Sequence, residues 1–410
     1  AVFKFGIYRS QKERDFSIAQ YSVSSTYTSE QDWSNYAGDP NQLFNPNNII
    51  GPSNPEGSYI NPQTTISQDA NLFNSKQFNL AAYISNEFNI SEKLKSILGF
   101  RFENYQVHYT GENSQLGQIY DNQKIINKSN LFPSLNFIYS LKENQNLRIA
   151  YSLTTARPSF KEASIAEIYD PLSNLFFIGN INIRPTYIDN FDIRYEAFGE
   201  KAQLLAFSAF YKNLTDPIEI GFVAASTSNY TPLNLENATV FGVELELRRS
   251  INSLFPSIRN LVLNFNGSYI ISDEKYSEDE FKLRTLGLRE GQTISNSRPL
   301  QGQSPYLINT GLDYNNQEKN VQIGLYFNVQ GKTLEVVGDG FYPDVYTMPF
   351  NSLNFNLIKQ FKGNRSLTFK ITNLLNDERE SRFEGFNNES QYFKLRNVGR
   401  LFSLGYAIRF

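Results

Sequence analysis

An apolar–polar alternation with a two-residue period recurs along this chain and restricts it to extended strands with one greasy face. Phe191, Ile193 and Tyr195 alternate with Asp192, Arg194 and Glu196, and Phe241, Val243, Leu245 and Leu247 with Gly242, Glu244, Glu246 and Arg248. Leu147, Ile149, Tyr151 and Leu153 alternate with Arg148, Ala150, Ser152 and Thr154. Val321, Ile323, Leu325, Phe327 and Val329 alternate with Gln322, Gly324, Tyr326, Asn328 and Gln330. The last residues repeat the pattern: Phe402, Leu404, Tyr406, Ile408 and Phe410 are separated by Ser403, Gly405, Ala407 and Arg409. A bare strand ending on an aromatic residue is rare in soluble proteins and common in transmembrane β-barrels, where the greasy face meets lipid.

The alternation predicts about fourteen strands, at 2–23, 76–90, 93–110, 130–141, 146–156, 185–198, 202–219, 235–249, 259–272, 304–315, 319–332, 347–361, 365–376 and 393–410. Most are longer than the roughly five or six residues of a soluble strand and match the roughly nine to eleven of a tilted membrane strand. The connections alternate in length. Those at 89–92, 142–145, 199–201, 316–318 and 362–364 are short, and 250–258 is somewhat longer. Those at 24–75, 111–129, 157–184, 220–234, 273–303, 333–346 and 377–392 are long. The expected fold is therefore an all-β, transmembrane antiparallel barrel with short periplasmic turns and long extracellular loops. Segment 31–66, with Trp33 and several prolines and glycines, reads as irregular external loop. Phe160–Tyr169 has room for a short helix inside its loop.

Composition narrows the function. Mean hydropathy is −0.43 and no apolar run approaches the 18 or so residues of a membrane helix, whereas a barrel keeps half of each strand polar. A net charge of −3 argues against nucleic acid. The absence of cysteine excludes disulfides and thiolate chemistry. The only methionine is Met348 and the chain opens inside an apparent strand, so the expectation is a processed or incomplete piece whose targeting segment lies elsewhere.

Six local motifs, in order, carry a family resemblance. Tyr151-Ser152 through Arg157-Pro158-Ser159-Phe160 forms a strand exit, and Gly179-Asn180 through Arg184-Pro185 leads into Asn190-Phe191-Asp192-Ile193-Arg194-Tyr195-Glu196. Val240-Phe241-Gly242-Val243-Glu244, Leu300-Gln301-Gly302-Gln303-Ser304-Pro305-Tyr306 and Ile371-Thr372-Asn373-Leu374-Leu375-Asn376 follow, and Gly399-Arg400 opens the terminal strand. In this order they resemble the TonB-dependent outer-membrane receptors. Residues 1–150 fit by pattern more than by motif. The resemblance implies that residues 1–410 are the carboxy-terminal portion of a barrel of about 22 strands, with the amino-terminal plug and first strands absent from this chain. It also implies energy-coupled import of a scarce nutrient, whether an iron chelate, cobalamin, a glycan or a peptide. Its implied partners are outer-membrane lipid, a TonB-type energy-coupling protein and, in some systems, a surface lipoprotein. Alternatives are a complete passive channel of about fourteen strands, closing strand 2–23 on strand 393–410, and a receptor-like barrel serving a structural or secretion complex.

No cofactor, metal site or catalytic pair is expected. His108 is the only histidine and lacks metal-ligand spacing, so it reads as an ordinary strand-end residue. Arg101, Glu103, Arg148, Asp192, Arg194, Glu196, Glu244, Glu246, Arg248 and Arg409 face inward by parity, where charge pairing across strands is the ordinary reading. Asp273, Glu274, Glu278, Asp279 and Glu280 read as a solvated acidic loop, and Gly338-Asp339-Gly340 as a turn. Arg157, Lys161, Tyr169, Arg298 and Tyr342 lie at or beside the outer strand ends and are the candidate ligand contacts. Phe402, Leu404, Tyr406, Ile408 and Phe410 cover lipid-facing surface; by resemblance they are also the barrel-assembly signal.

Overall fold

The computed structural model describes residues 1–18, 21–25, 39, 41, 58–62, 69–114, 116–170, 175–200, 203–223, 226–253, 255–276, 278–338 and 342–409. Most of the expected loop 31–66, the Asp339-Gly340 pair and Phe410 lie outside the described residues. Fourteen strands form one unbroken antiparallel path, and the two-residue strand Ser297–Arg298 pairs off it with the outer end of Leu261–Lys275. They are β1 (Val2–Ser17), β2 (Leu72–Asn89), β3 (Leu94–Asn113), β4 (Gln118–Lys142), β5 (Gln145–Ala156), β6 (Thr186–Phe198) and β7 (Leu204–Thr215). β8 (Asn237–Ser250), β9 (Leu261–Lys275), β10 (Tyr306–Asn316), β11 (Val321–Gln330), β12 (Ser352–Phe361), β13 (Arg365–Thr372) and β14 (Leu401–Ile408) complete it.

The register shows why the alternation matters. Tyr151, Phe191, Tyr211, Phe241 and Ile271 fall on one row across β5 to β9. The first three rings touch, with centroids 4.9 Å apart for Tyr151 and Phe191 and 6.4 Å for Phe191 and Tyr211. All but Tyr151 are strongly exposed, as a lipid-facing belt must be before lipid covers it. On the other face, Ala206, Glu246, Asn266, Asn309, Asn328 and Ser352 make a row across β7 to β12. Its polar members belong in a watered lumen.

The periplasmic turns are short for local reasons. Ser91 Oγ accepts hydrogen bonds from Leu94 N at 3.1 Å and Lys93 N at 3.3 Å, closing the β2–β3 turn. Asn260, Asn320 and Asn364, each standing just before a strand, have φ of 65°, 49° and 53°. Asparagine tolerates this left-handed region better than other side-chain-bearing residues, so it ends three of the turns.

The largest departures from the predicted boundaries are three. β1 ends at Ser17, and Tyr21–Ser25 pairs with Ser58–Pro62 instead. The long loop expected at 111–129 is a tight turn, because β3 and β4 stay paired up to Asn113 and Gln118. The 25 residues of β4 reach about 80 Å at roughly 3.3 Å each, well beyond any hydrocarbon layer. Tyr105, Val107 and Ile126 on this extension bury against Ala163 and Ile183 from the β5–β6 connection, an apolar core that keeps the ribbons paired in water. β14 begins at Leu401, not 393, because Gly399 turns the chain at φ 65° and Gln391–Arg396 pairs with Arg379–Glu384. The expected helix at Phe160–Tyr169 is a turn followed by the strand Glu167–Asp170. The α-helix Glu278–Leu286 lies instead in the β9–β10 connection.

The outer connections build two small sheets. Ile218–Val223, Ser226–Asn234, Leu175–Ile178 and Glu167–Asp170 form one, and Thr333–Val336, Asp344–Thr347, Arg379–Glu384 and Gln391–Arg396 the other. A parallel bridge between Gly221 and Val337 joins them. Phe222, Val336 and Val345 form a shared core, with Tyr230 and Phe383 packed on it. The described extracellular loops are thus a folded cap with its own interior.

Candidate functional site

The cap is held by charge as well as by apolar packing. In β9 the exposed apolar residues Tyr269 and Ile271 give way to Asp273, so Glu274 stands at the extracellular rim, above the lipid-facing rows. Its side chain is fully buried, and Arg298 is only 5% exposed. Arg298 Nη1 donates to Glu274 Oε2 at 3.0 Å, Nε to Glu280 Oε1 at 3.3 Å, and Nη2 lies 2.7 Å from Glu219 Oε2. One guanidinium therefore ties the rim of β9, the helix Glu278–Leu286 and the hairpin after β7. Burial opposes its charge, but Glu219, Glu274 and Glu280 outweigh that cost and raise its affinity for the proton.

Three carboxylates around one arginine leave a charge to be settled. Among the described residues, Glu219 Oε2 and Glu274 Oε1 accept no properly aligned hydrogen bond, the short Arg298–Glu219 approach being an ion pair off the donor line. Burial, then the neighbouring Glu219, push the Glu274 carboxyl well above the usual carboxylate range. A protonated Glu274 donating to Glu219 satisfies both oxygens at once. The solvated acidic loop read from the sequence is therefore corrected: Glu274 and Glu280 belong to a buried ionic node, while Glu278 stays exposed on its helix. The side chain of Asp279 lies outside the described residues.

Two further residues extend the node. Arg284 donates to Asp344 Oδ1 at 2.7 Å, to Glu280 Oε1 at 3.0 Å and to Gly338 O at 3.1 Å, clipping the helix to the β11–β12 connection. Gln301 accepts from Ile220 N at 2.5 Å and donates to Ile220 O at 2.7 Å and Glu335 O at 2.6 Å. Its own N–H donates to Glu219 Oε1 at 2.6 Å. A single amide thus reads the backbone of two hairpins. Beside the node, a cavity of about 340 Å³ is lined by Phe222, Leu233, Leu283 and Val337 together with Glu219 and Arg298.

The candidate contacts fall into separate settings. Arg157 pairs with Glu103, which also binds Arg101, and stacks 4.1 Å above the Tyr105 ring. Lys161 Nζ lies 4.0 Å from the Phe177 ring centroid, and Tyr169 packs on Phe176 at 5.0 Å. These three share the β5–β6 connection. Arg298 is the centre of the node, and Tyr342 is exposed on the β11–β12 connection. The structure does not gather all five into one surface. Among the inward charges, Glu196 is bound by Arg148 at 2.5 Å and Arg194 at 3.3 Å, and Arg194 reaches Glu246 at 2.8 Å. His108 Nδ1 lies 3.3 Å from Asn122 O and its ring packs edge-on to Phe78. Phe402, Leu404, Tyr406 and Ile408 are all strongly exposed. Sequence reasoning missed Glu219, Arg284, Gln301 and Asp344. Gln301 alone carried a signal, since it stands in one of the motifs.

Comparison with known proteins agrees with this architecture. The family model "TonB dependent receptor-like, beta-barrel" matches residues 3–374. The siderophore receptor PiuA from Acinetobacter baumannii superposes with a TM-score of 0.62 at 12% identity, over 98% of this chain and 52% of that one. The ferric-catecholate import receptor Fiu from K12 E. coli gives 0.55 at 13% identity, over 85% and 48%. The ferric yersiniabactin uptake receptor FyuA from Yersinia pestis gives 0.54 at 15% identity, over 83% and 46%. The chain thus spans about half the length of these solved structures. No curated protein matches it.

Proposed function

Because this chain belongs to the TonB-dependent receptor β-barrel family of the outer membrane, we propose that it serves energy-coupled import of a scarce nutrient, with a metal chelate as the leading cargo class. The observation that carries this is the union of a long lipid-facing meander with a cap folded over its outer end. A diffusion pore needs an open mouth, whereas a receptor needs an ordered surface to seize a dilute ligand. Siderophore and ferric-catecholate receptors among the solved structures favour iron chelates.

In this reading the fourteen strands are the carboxy-terminal two-thirds of a barrel of about 22, and a plug with its coupling segment belongs to the whole receptor. A TonB-type protein supplies the energy from the inner membrane. Arg157, Lys161, Tyr169 and Tyr342 remain candidate ligand contacts, while Arg298 acts through the cap it holds. The face Phe402–Ile408 serves as assembly signal as well as lipid cover. Neither the fold nor the comparisons support a passive channel.

Uptake of radiolabelled ferric catecholate and ferric citrate by cells bearing the whole receptor tests the proposal. Accumulation should need the receptor and should stop when a protonophore collapses the inner-membrane gradient. Receptor-dependent accumulation that survives the protonophore would overturn it.

A further inference from the structure

Arg379 and Arg396 stand directly opposite each other where Arg379–Glu384 pairs with Gln391–Arg396 in the cap. Like charges at opposed positions destabilise a strand pair, so sheet stability alone gives no reason for this arrangement. No carboxylate of the described residues forms a salt bridge with either guanidinium; Arg379 instead lies 4.5 Å over the Phe350 ring. Both remain exposed. Lys394, two positions before Arg396, adds a third cation on the same strand face.

The three cations line one cavity of about 320 Å³ together with Glu335, Glu380 and Ser381. Its two carboxylates are already engaged. Glu380 accepts from Arg382 at 2.6 Å, and Glu335 accepts from Thr347 at 2.7 Å and from Ser381, with Lys394 at 3.9 Å. The cavity also reaches Asn328 and Gln330, inward residues of β11 at the top of the lumenal wall. It therefore joins the cap to the interior of the barrel.

We propose that Arg379 and Arg396, assisted by Lys394, form a subsite for the anionic pole of the imported ligand, a group with two or more carboxylate or phosphate oxygens. Two guanidiniums on opposed strands present their N–H groups to one cluster of oxygens, the geometry arginine favours for such groups. Bound anion also relieves the repulsion between the two strands. This inference rests on the receptor reading and names the chemistry its ligand must carry.

The test is equilibrium binding of citrate and of pyrophosphate to the purified whole receptor in detergent, by calorimetry, which needs no energy coupling. At least one anion should bind saturably, more weakly as salt rises, and the stronger of the two assigns the carboxylate or phosphate class. Arg379→Gln with Arg396→Gln should weaken it about tenfold or more, the scale of a lost charge-assisted hydrogen bond. Lys332→Gln, which removes a cation paired with Glu384 and stacked on Tyr346 outside the cavity lining, should leave binding unchanged. The double variant without ligand should melt close to the parent, because the lost repulsion offsets the lost stacking of Arg379 on Phe350. No saturable binding of either anion, or equal affinity in parent and double variant, would overturn the subsite. Uptake that depends on the gradient could still hold in that event, so the two readings fail separately.

Discussion

Arg298, from the connection after β9, meets Glu219, from the connection after β7, at 2.7 Å with both side chains 3% exposed. The contact joins two loops that have no other reason to share a charge, and Glu274 completes it from the barrel rim. Removing one member of a buried ionic group leaves its partners uncompensated, at a cost of about 3–5 kcal/mol. Arg298→Met should therefore loosen the hairpin Ile218–Asn234, seen as faster amide exchange there. Neutralising the two most buried carboxylates as well, with Glu219→Gln and Glu274→Gln added, should restore much of the protection, since Glu280 keeps Arg284 as its partner. A silent single variant would show that the node does not hold the cap.

The same node sets a pH dependence. The Glu274 carboxyl is raised by burial and by Glu219, against the opposing pull of Arg298. Glu280 adds a smaller push in the same direction as Glu219, and Arg284 stands beyond it as Glu280's own partner. Unfolded, Glu274 titrates near the ordinary value of about 4.3, so between that value and its raised one the folded cap holds the extra proton. Stability must fall as pH rises through that window and be fullest below it. Protease resistance of the cap should decline with rising pH, and Glu274→Gln should flatten the decline, since its amide still donates to Glu219. An unaltered profile in that variant would place the titrating group elsewhere.

Residues such as Phe241 and Glu244 made the sheet legible in the sequence, because membrane strands alternate without interruption. The length of β4 was not legible: Ile126 and Tyr120 look like loop residues until Ala163 and Ile165, far along the chain, are seen to bury them and their neighbours. The ionic node was hidden for the same reason. Nothing near Glu219 marks it as a partner of Arg298, and acidic residues after β9 ordinarily face water. Arg379 and Arg396 gave no periodic signal either, since their opposition exists only in the pairing of two loop strands.

The face assignment predicts unequal costs for the same substitution. Leu325 sits mid-strand in β11 on the lipid face, between Leu312 and Phe355. Leu325→Arg should cost roughly 2–4 kcal/mol in a bilayer. Asn266→Arg, on the opposite face, puts the charge beside Glu246 and should cost far less. Folding titrations in lipid vesicles compare the two, and equal costs would reverse the assignment of faces.

Strand β14 permits a sharper version within two adjacent residues. Leu404, 74% exposed, pairs with Phe369, while Ser403 pairs with Lys370. Leu404→Asp places a carboxylate among acyl chains and interrupts the apolar face proposed as the assembly signal. Ser403→Asp places the same group across from an ammonium on the watered side, where opposite charges on paired strands contribute about 0.2–1 kcal/mol. Recovery of protease-resistant receptor in the outer membrane should fall for the first and hold for the second. Folding into vesicles without any insertion machinery separates the two roles of the face. If Leu404→Asp folds there nearly as well as the parent yet fails in cells, the loss lies in recognition; if it fails in both, lipid cover accounts for it. Normal recovery in cells would remove Leu404 from both roles.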